Sequence, residues 1–318
     1  MGPIPSYDAP MYAERMRARP LRSVTPDESA AFHRDGAVLI QSVLAPEWVE
    51  AVEKGLETVV AKPDVMSESL GTLRVDQFPA ARSPELLRII EESPIAEVVG
   101  TALRSPVRFY MDQSFVKPPG VFLPTPWHQD TCYYNVGGHD LIRAWVCCDA
   151  VPRNVSLEVV RGSHLWNVTY SPLAGRDPEG DPSAQAQLES AHAGEPMLGA
   201  DTYADWTYWS GVKDKALPLV PDIEAQRDSY DILGWDYEPG DVILFHGHIL
   251  HSALGNVESA TPRRAHASLW AGRDAHYLHR IGQIIPDPIA LYPHKPETGQ
   301  LLSDFPEVFP LAWSPDEA

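Results

Sequence analysis

Cysteine is scarce in this chain: there are three in 318 residues, Cys132, Cys147 and Cys148, and their spacing suits no metal site. So odd and sparse a set excludes a disulfide framework and reads as reduced thiols of a cytoplasmic protein, each a small buried hydrophobe. Basic residues are also few, 25 Lys and Arg against 44 Asp and Glu, for a net charge of −19. That excess argues against nucleic-acid backbones and anionic membranes as partners, and it permits a neutral or cationic small-molecule substrate. No apolar run approaches the roughly 18–20 residues of a membrane span. The first residues, MGPIPSYDAPMYAERMRARP, lack the apolar centre of a secretory signal, and Pro3 and Pro5 disfavour myristoylation of Gly2. Internal repeats and linkers are absent as well.

What the chain does have is 31 prolines and 21 glycines, spread along its length. That composition suits many short elements joined by shaped loops, and it disfavours a helical bundle. Helical signals concentrate before residue 105. Thr25-Pro26-Asp27-Glu28 combines an N-cap hydroxyl, proline at the first helical position and a reciprocal glutamate. The helix it opens should run to about Arg34 and stop at Asp35-Gly36, followed by a short strand over 37–40. Pro46 opens a longer helix with Trp48, Val49, Val52, Leu56, Val59 and Val60 at helical spacing. Two more helices are expected over 84–91 and 94–103. From residue 106 the pattern turns to strands, over 107–117, 141–150, 156–160, 241–245 and 265–271. Helices first and strands after predict one α+β domain with a mainly β core, a sandwich or barrel with helices packed on it. Its helical part spans about 25–105, its core about 106–275, and a Pro-rich tail about 286–318.

Residues 171–238 form a long segment of weak periodicity. Fourteen acidic residues face four basic ones there, so it carries −10 of the chain's −19. Tyr203, Trp206 and Trp209 lie among its aromatics. A long irregular insertion of that kind is expected to be a lid over a binding site, and its aromatics argue against disorder. A solvated insertion whose aromatics pack on the sandwich is the alternative.

The chemistry-bearing residues begin with Pro126-Trp127-His128-Gln129-Asp130. On an extended chain, residues i and i+2 share a side, so His128 and Asp130 can converge on a divalent first-row metal. A strand ending in three histidines, His246, His248 and His251, offers a third ligand. For each histidine alone, a hydrogen-bonded, half-buried side chain is the bland alternative. Pro262-Arg263-Arg264 then brings a rigid, two-pronged carboxylate donor, or else a solvated surface pair. The combination is more specific than its parts. His-x-Asp, a distant His and an Arg about a dozen residues on describe a non-haem iron(II) triad with an anchor for a co-substrate carboxylate.

With those residues on the page, the chain resembles the phytanoyl-CoA dioxygenase family of iron(II)/2-oxoglutarate oxygenases, from about Thr25 to Ala271. The resemblance rests on Phe32 to Ile40, Val116-Lys117-Pro118-Pro119, Trp127 to Asp130, Ala144-Trp145-Val146, Leu157 to His164, Gly240-Asp241 through His251 to Asn256, and Arg263. It implies a double-stranded β-helix, the cupin-like jelly roll, flanked by N-terminal helices. His128, Asp130 and His251 resemble the iron ligands, with Fe(II) as metal and 2-oxoglutarate and O2 as co-substrates. Arg263 falls one residue beyond the family's usual spacing for the 2-oxoglutarate arginine, so Arg264 stays an alternative. Gln113 and Trp145 match positions that line the co-substrate pocket, and Arg74 matches a basic co-substrate contact. Trp127, beside the ligand pair, is placed with Tyr203, Trp206 and Trp209 as a substrate-lid candidate, with a core residue as the equal alternative. One position departs from the family: its His-Gly-Ser run stands here as His251-Ser252-Ala253, which loses a hydroxyl that Ser252 or Thr125 would have to replace.

The resemblance thus implies oxidation of an unactivated C–H bond in a small molecule, with release of succinate and CO2. The carboxylate at Asp130 fills the position that related halogenases leave for chloride, so hydroxylation is expected over halogenation. Two other readings stay open. One is a non-catalytic or regulatory protein on the same scaffold, and the other is a metal-dependent cupin-like enzyme that uses no 2-oxoglutarate. No basic cluster fits the 3′-phosphate of CoA, which favours a free small molecule such as a secondary-metabolite intermediate.

Overall fold

The computed structural model describes residues 17–63, 67–70, 73–120, 124–172, 179, 215–256, 260–280 and 296–315. The first helix, α1 (Pro26–Asp35), starts where its cap demands. The Thr25 hydroxyl accepts from the Glu28 amide, and the Glu28 carboxylate accepts from the Thr25 amide. Gly36 ends it at φ 81°, and a Cβ at that position would lie 2.3 Å from His164 Nδ1. Glycine is therefore required there twice over. β1 (Ala37–Ile40) follows, then α2 (Pro46–Ala61), which buries Trp48, Val52, Leu56 and Val59 along one stripe. A hairpin of β2 (Ser67–Leu70) and β3 (Leu73–Gln77) precedes α3 (Pro84–Glu91), whose cap Ser83 accepts from the Leu86 amide. α4 (Ile95–Leu103) is buried almost throughout, and its Gly100 leaves room for Trp313, which a Cβ would meet at 2.1 Å.

Strands then dominate. In chain order they are β4 (Val107–Lys117), β5 (Thr125–His128), β6 (Val136–Gly137), β7 (Leu141–Cys147), β8 (Leu157–Val160) and β9 (Ile232–Gly234). After these come β10 (Val242–His246), β11 (His251–Ala253), β12 (Arg263–Ala271), β13 (His276–Tyr277) and β14 (Leu311–Trp313). The large sheet runs β1-β10-β7-β12-β4-β3-β2, with β14 also on β4; the small sheet runs β5-β11-β8-β9. All pairs are antiparallel. The chain passes from large to small sheet between β4 and β5, β7 and β8, and β10 and β11, and returns after each excursion. This is the jelly roll that the resemblance implied, with the helices outside.

Strand alternation sorts the side chains into two layers. Val107, Phe109, Ile142, Ala144, Val146, Val242, Leu244 and Trp270 face outward and pack with the helices in one apolar cluster. Trp145, Cys147, Ile243, Phe245, Ala265 and Ala267 face inward and meet Leu157 and Val159 of the small sheet. Burying a large apolar side chain contributes about 1.5–3 kcal/mol, so the two layers together hold the large sheet in place.

Most expected elements fall where the sequence put them. Several features differ: the strand expected over 141–150 ends at Cys147, and the short pair β6 and β13 was not expected. β2 and β3 interrupt the helical part, being too short and polar to register as strands. β9 lies inside the segment expected as an insertion, so the end of that segment is a strand of the small sheet. β14 lies in the Pro-rich tail and pairs with β4. Among the described residues, no helix is long and apolar enough to cross a membrane.

Candidate metal centre

β5 and β11 are neighbours in the small sheet, and their register sets His128 opposite His251. The rings lie 4.2 Å apart between centroids, and Phe245 covers the other side of His251 at 4.9 Å. Asp130, two residues after His128, turns into the same space at the start of a short helical turn. Its Oδ1 lies 3.8 Å from His128 Nε2 and 3.7 Å from His251 Nε2. One donor atom from each of the three residues falls within 4.8 Å of the others, the only such group among the described residues.

The protonation of the two imidazoles follows from their backbone partners. His128 Nδ1 donates to the Pro126 carbonyl at 2.8 Å, and His251 Nδ1 donates to the Ile249 carbonyl at 3.1 Å. Each Nε2 is then a bare lone pair. Burial lowers the pKa of His128, and burial together with His128 lowers that of His251 to about 3, so both rings are neutral. For Asp130, burial pushes the pKa up, but the opposing charges, Arg143 foremost, bring it below the ordinary carboxylate value. Asp130 Oδ2 faces Arg143 Nη1 at 3.2 Å without the alignment of a hydrogen bond. Two lone pairs and a carboxylate oxygen thus face one another with no proton between them, at distances too long for hydrogen bonds. This arrangement fits a divalent first-row cation bound by two imidazoles and a carboxylate, with positions left open.

The other histidines do not join. His246 faces outward toward Phe32 and His139, and His248 is held by Thr131 Oγ1 at 2.8 Å and the Gly138 carbonyl at 3.0 Å.

The paired arginines separate cleanly by strand alternation on β12. Arg263 points between the sheets and is 5% exposed. Its guanidinium donates to the Val155 carbonyl and, at 2.9 Å, to the Leu254 carbonyl. Burial lowers its pKa, offset in part by Tyr237 and Cys147. Arg264 points the other way and pairs with Asp149 at 2.7 Å and Glu53 at 2.8 Å. Lys117 is the cross-strand partner of Arg263, and its ammonium donates to the same Leu254 carbonyl at 3.2 Å. Burial, then the Arg263 charge, pulls the Lys117 pKa down to about 7. The two cations therefore converge three residues beyond His251, about 10 Å along an extended chain.

Gln113 and Trp145 also face inward. Trp145 packs on Phe115 at 5.0 Å, and Gln113 Oε1 accepts from Tyr134 Oη at 3.2 Å and from Arg143 Nη2. Thr125 stands opposite Ala253, and its carbonyl accepts from Ser252 Oγ at 2.8 Å. Ser252 is thereby committed to the backbone and does not supply the hydroxyl that Ala253 lacks.

Two expected site residues are placed elsewhere. Arg74 lies on the outer face of β3, paired with buried Asp76 at 3.1 Å and bonded to the Val59 carbonyl. It is one residue out of phase with the inward-facing Val75 and Gln77. Trp127 alternates away from His128 into a separate apolar cluster with Val160, Tyr170, Ile223 and Leu250, and its Nε1 donates to Glu224 at 3.2 Å. It is a core residue beneath the small sheet. Tyr203, Trp206 and Trp209 lie outside the described residues. Lys117, Arg143 and Tyr134 were given no role from sequence. For Arg143 the signal was a lone charge within the otherwise apolar run Leu141-Ile142-Arg143-Ala144-Trp145-Val146.

A jelly roll with a two-histidine, one-carboxylate cluster between its sheets defines the class of non-haem iron(II)/2-oxoglutarate-dependent dioxygenases. A sequence model of the family Phytanoyl-CoA dioxygenase (PhyH) matches residues 32–265, and the chain belongs to that family. Ectoine dioxygenase of Sphingopyxis alaskensis is 23% identical over 268 residues, covering 80% of this chain and 77% of that one. Among solved structures, the 2-oxoglutarate-dependent epimerase SnoN from nogalamycin biosynthesis superposes with a TM-score of 0.61 at 17% identity, over 90% of this chain and 98% of SnoN. EctD from S. alaskensis, solved with 2-oxoglutarate and 5-hydroxyectoine, gives 0.58 at 16% identity over 93% of each chain. At these identities the superpositions show a shared fold.

Proposed function

We propose that this dioxygenase hydroxylates or otherwise oxidises an unactivated C–H bond of a small molecule, a secondary-metabolite intermediate, releasing succinate and CO2. The observation that carries the reading is the cluster of His128, Asp130 and His251 on the same interior as the Arg263–Lys117 pair. In this reading the three residues hold iron(II), which with 2-oxoglutarate and O2 supplies the oxidising power when bound. The Pro126 and Ile249 carbonyls keep the imidazole protons on Nδ1, so both Nε2 atoms serve the metal. Arg263, with Lys117 beside it, takes the far carboxylate of 2-oxoglutarate, and its fixed fork suits that group. Arg264 is already satisfied on the other face by Asp149 and Glu53. Trp145 and Phe115 provide a flat apolar wall that excludes water from the co-substrate. The part of segment 171–238 that precedes the core residue Ile223 and β9, with Tyr203, Trp206 and Trp209, is assigned as the lid.

The small-molecule reading draws support from relatives named for ectoine and for nogalamycin biosynthesis. The buried or half-buried free thiols of Cys132, Cys147 and Cys148 accord with a cytoplasmic enzyme. Anaerobic loading with Fe(II), then addition of 2-oxoglutarate, O2 and a panel of neutral and cationic metabolites, should yield succinate in step with oxidised product. Failure of the iron-loaded protein to bind 2-oxoglutarate would overturn the proposal. The missing hydroxyl at Ala253 favours the non-catalytic alternative, which stoichiometric succinate release would exclude.

A further inference from the structure

Every position of β7 is buried, yet its third residue is an arginine. A guanidinium in the middle of an apolar strand is unfavourable unless it is fully partnered. Arg143 is 2% exposed, and its contacts run in two directions. Nη2 donates to Gln113 Oε1 on the neighbouring inward face, while Nη1 donates to Tyr134 Oη at 2.7 Å and faces Asp130 Oδ2 at 3.2 Å. Gln113 and Tyr134 thus clamp the guanidinium, and the clamp sets its charge beside one oxygen of one carboxylate. The other oxygen, Oδ1, is the atom that faces both imidazoles.

Resting on the iron/2-oxoglutarate reading, we propose that Arg143 is a positioning residue that makes Asp130 a one-oxygen metal ligand. A carboxylate can offer a metal one oxygen or both. Two imidazoles and a bidentate carboxylate would fill four of six positions and leave no place beyond the two that 2-oxoglutarate needs. Two imidazoles and one carboxylate oxygen leave three. Arg143 neutralises Oδ2 and holds it turned from the imidazoles, so the third position is built into the fold before any ligand arrives. Tyr134 and Gln113 act through Arg143, and their part is to keep the guanidinium from rotating.

The test uses the full chain with Co(II) as probe, since its visible d–d absorption reports ligand number without turnover. Wild type, Arg143→Met and Arg143→Lys are titrated with Co(II), and the loaded proteins are then titrated with 2-oxoglutarate. In R143M, Co(II) binding should be retained with a changed d–d spectrum, and 2-oxoglutarate should bind at least about tenfold more weakly. R143K, which keeps the charge, should lose less. A wild-type spectrum with 2-oxoglutarate affinity within about twofold of wild type in R143M would overturn the proposal. So would parallel loss of Co(II) and 2-oxoglutarate with the wild-type spectrum in the remainder, since that marks a merely structural role. If R143M does not fold, Gln113→Leu frees Nη2 and lets the guanidinium turn; an unchanged spectrum and affinity there overturn the proposal equally. Wild type failing to take up Co(II) would instead sink the metal reading itself, a separate and recognisable result.

Discussion

Replacing Arg263 and Arg264 one at a time by Gln asks which of two adjacent arginines holds 2-oxoglutarate. Arg263 lies between the sheets at 5% exposure beside Lys117, whereas Arg264 lies on the outer face against Asp149 and Glu53. A charge-assisted hydrogen bond to a carboxylate in a buried setting is worth about 1.5–3 kcal/mol. Losing the guanidinium of Arg263 should therefore raise KM for 2-oxoglutarate by about 10- to 150-fold. The substitution also strands the Val155 carbonyl, while Leu254 keeps Lys117 as donor; this adds about 1–3 kcal/mol of destabilisation and calls for a melting curve on each variant. R263K, which retains the charge but not the fork, should fall between. Arg264→Gln leaves the buried Asp149 carboxylate with the Arg264 backbone amide but no guanidinium, so it should lower stability by about 1–3 kcal/mol and leave KM within twofold. The assay is succinate formation against 2-oxoglutarate concentration at saturating Fe(II), with uncoupled turnover sufficing if no substrate is in hand. A KM raised by R264Q and untouched by R263Q would refute the placement of the anchor.

Lys117 carries a pH signature. Its folded-state pKa of about 7 lies below the ordinary 10.5, so between those values the unfolded chain holds a proton that the native state has released. Stability should then rise with pH across that window, by up to about 1.4 kcal/mol per unit from this group, and the rise should be absent from K117M in urea melts at pH 7 to 9. Trp127→Phe removes only the bond to Glu224 and some outer packing, so it should lower stability by about 0.5–1.5 kcal/mol with KM for 2-oxoglutarate unchanged; a raised KM would return Trp127 to the site. The outer field of −19 repels a dianion on approach, so kcat/KM for 2-oxoglutarate should rise as salt goes from about 20 to about 200 mM. A fall would show that the inner cations govern approach.

The parts of the fold legible in the sequence were those whose cause is local. Thr25 and Glu28 cap a helix by themselves, and the alternation in β4 needs no partner to be read, so their bounds came out closely. β3 and β14 exist because β4 offers its edge and its end, and β2 because β3 does, which is information outside their own few residues. The site divides the same way. His128 and Asp130 are two residues apart and could be paired on sight. His251 needed the strand register, and the choice between Arg263 and Arg264 needed the phase of β12, which one residue reverses. Trp127 and Arg74 were misplaced for that same reason, since each is a single position out of step with an inward-facing neighbour. Arg143 showed itself as a charge in an apolar strand, but its role depends on Asp130, Tyr134 and Gln113 meeting it in space.

Charge is distributed in opposite senses inside and out, and this bears on what the enzyme can accept. The chain as a whole is acidic, and over half of its excess lies in 171–238. The inward faces described here carry Arg143, Lys117 and Arg263 against the single carboxylate Asp130. A divalent metal adds to that positive interior, and a dianionic co-substrate offsets it. Once 2-oxoglutarate is seated, the interior still carries a positive excess, while the acidic exterior disfavours the approach of a second anion. Any preference for a neutral or weakly cationic substrate over a polyanion would therefore come from the exterior charge and not from the interior.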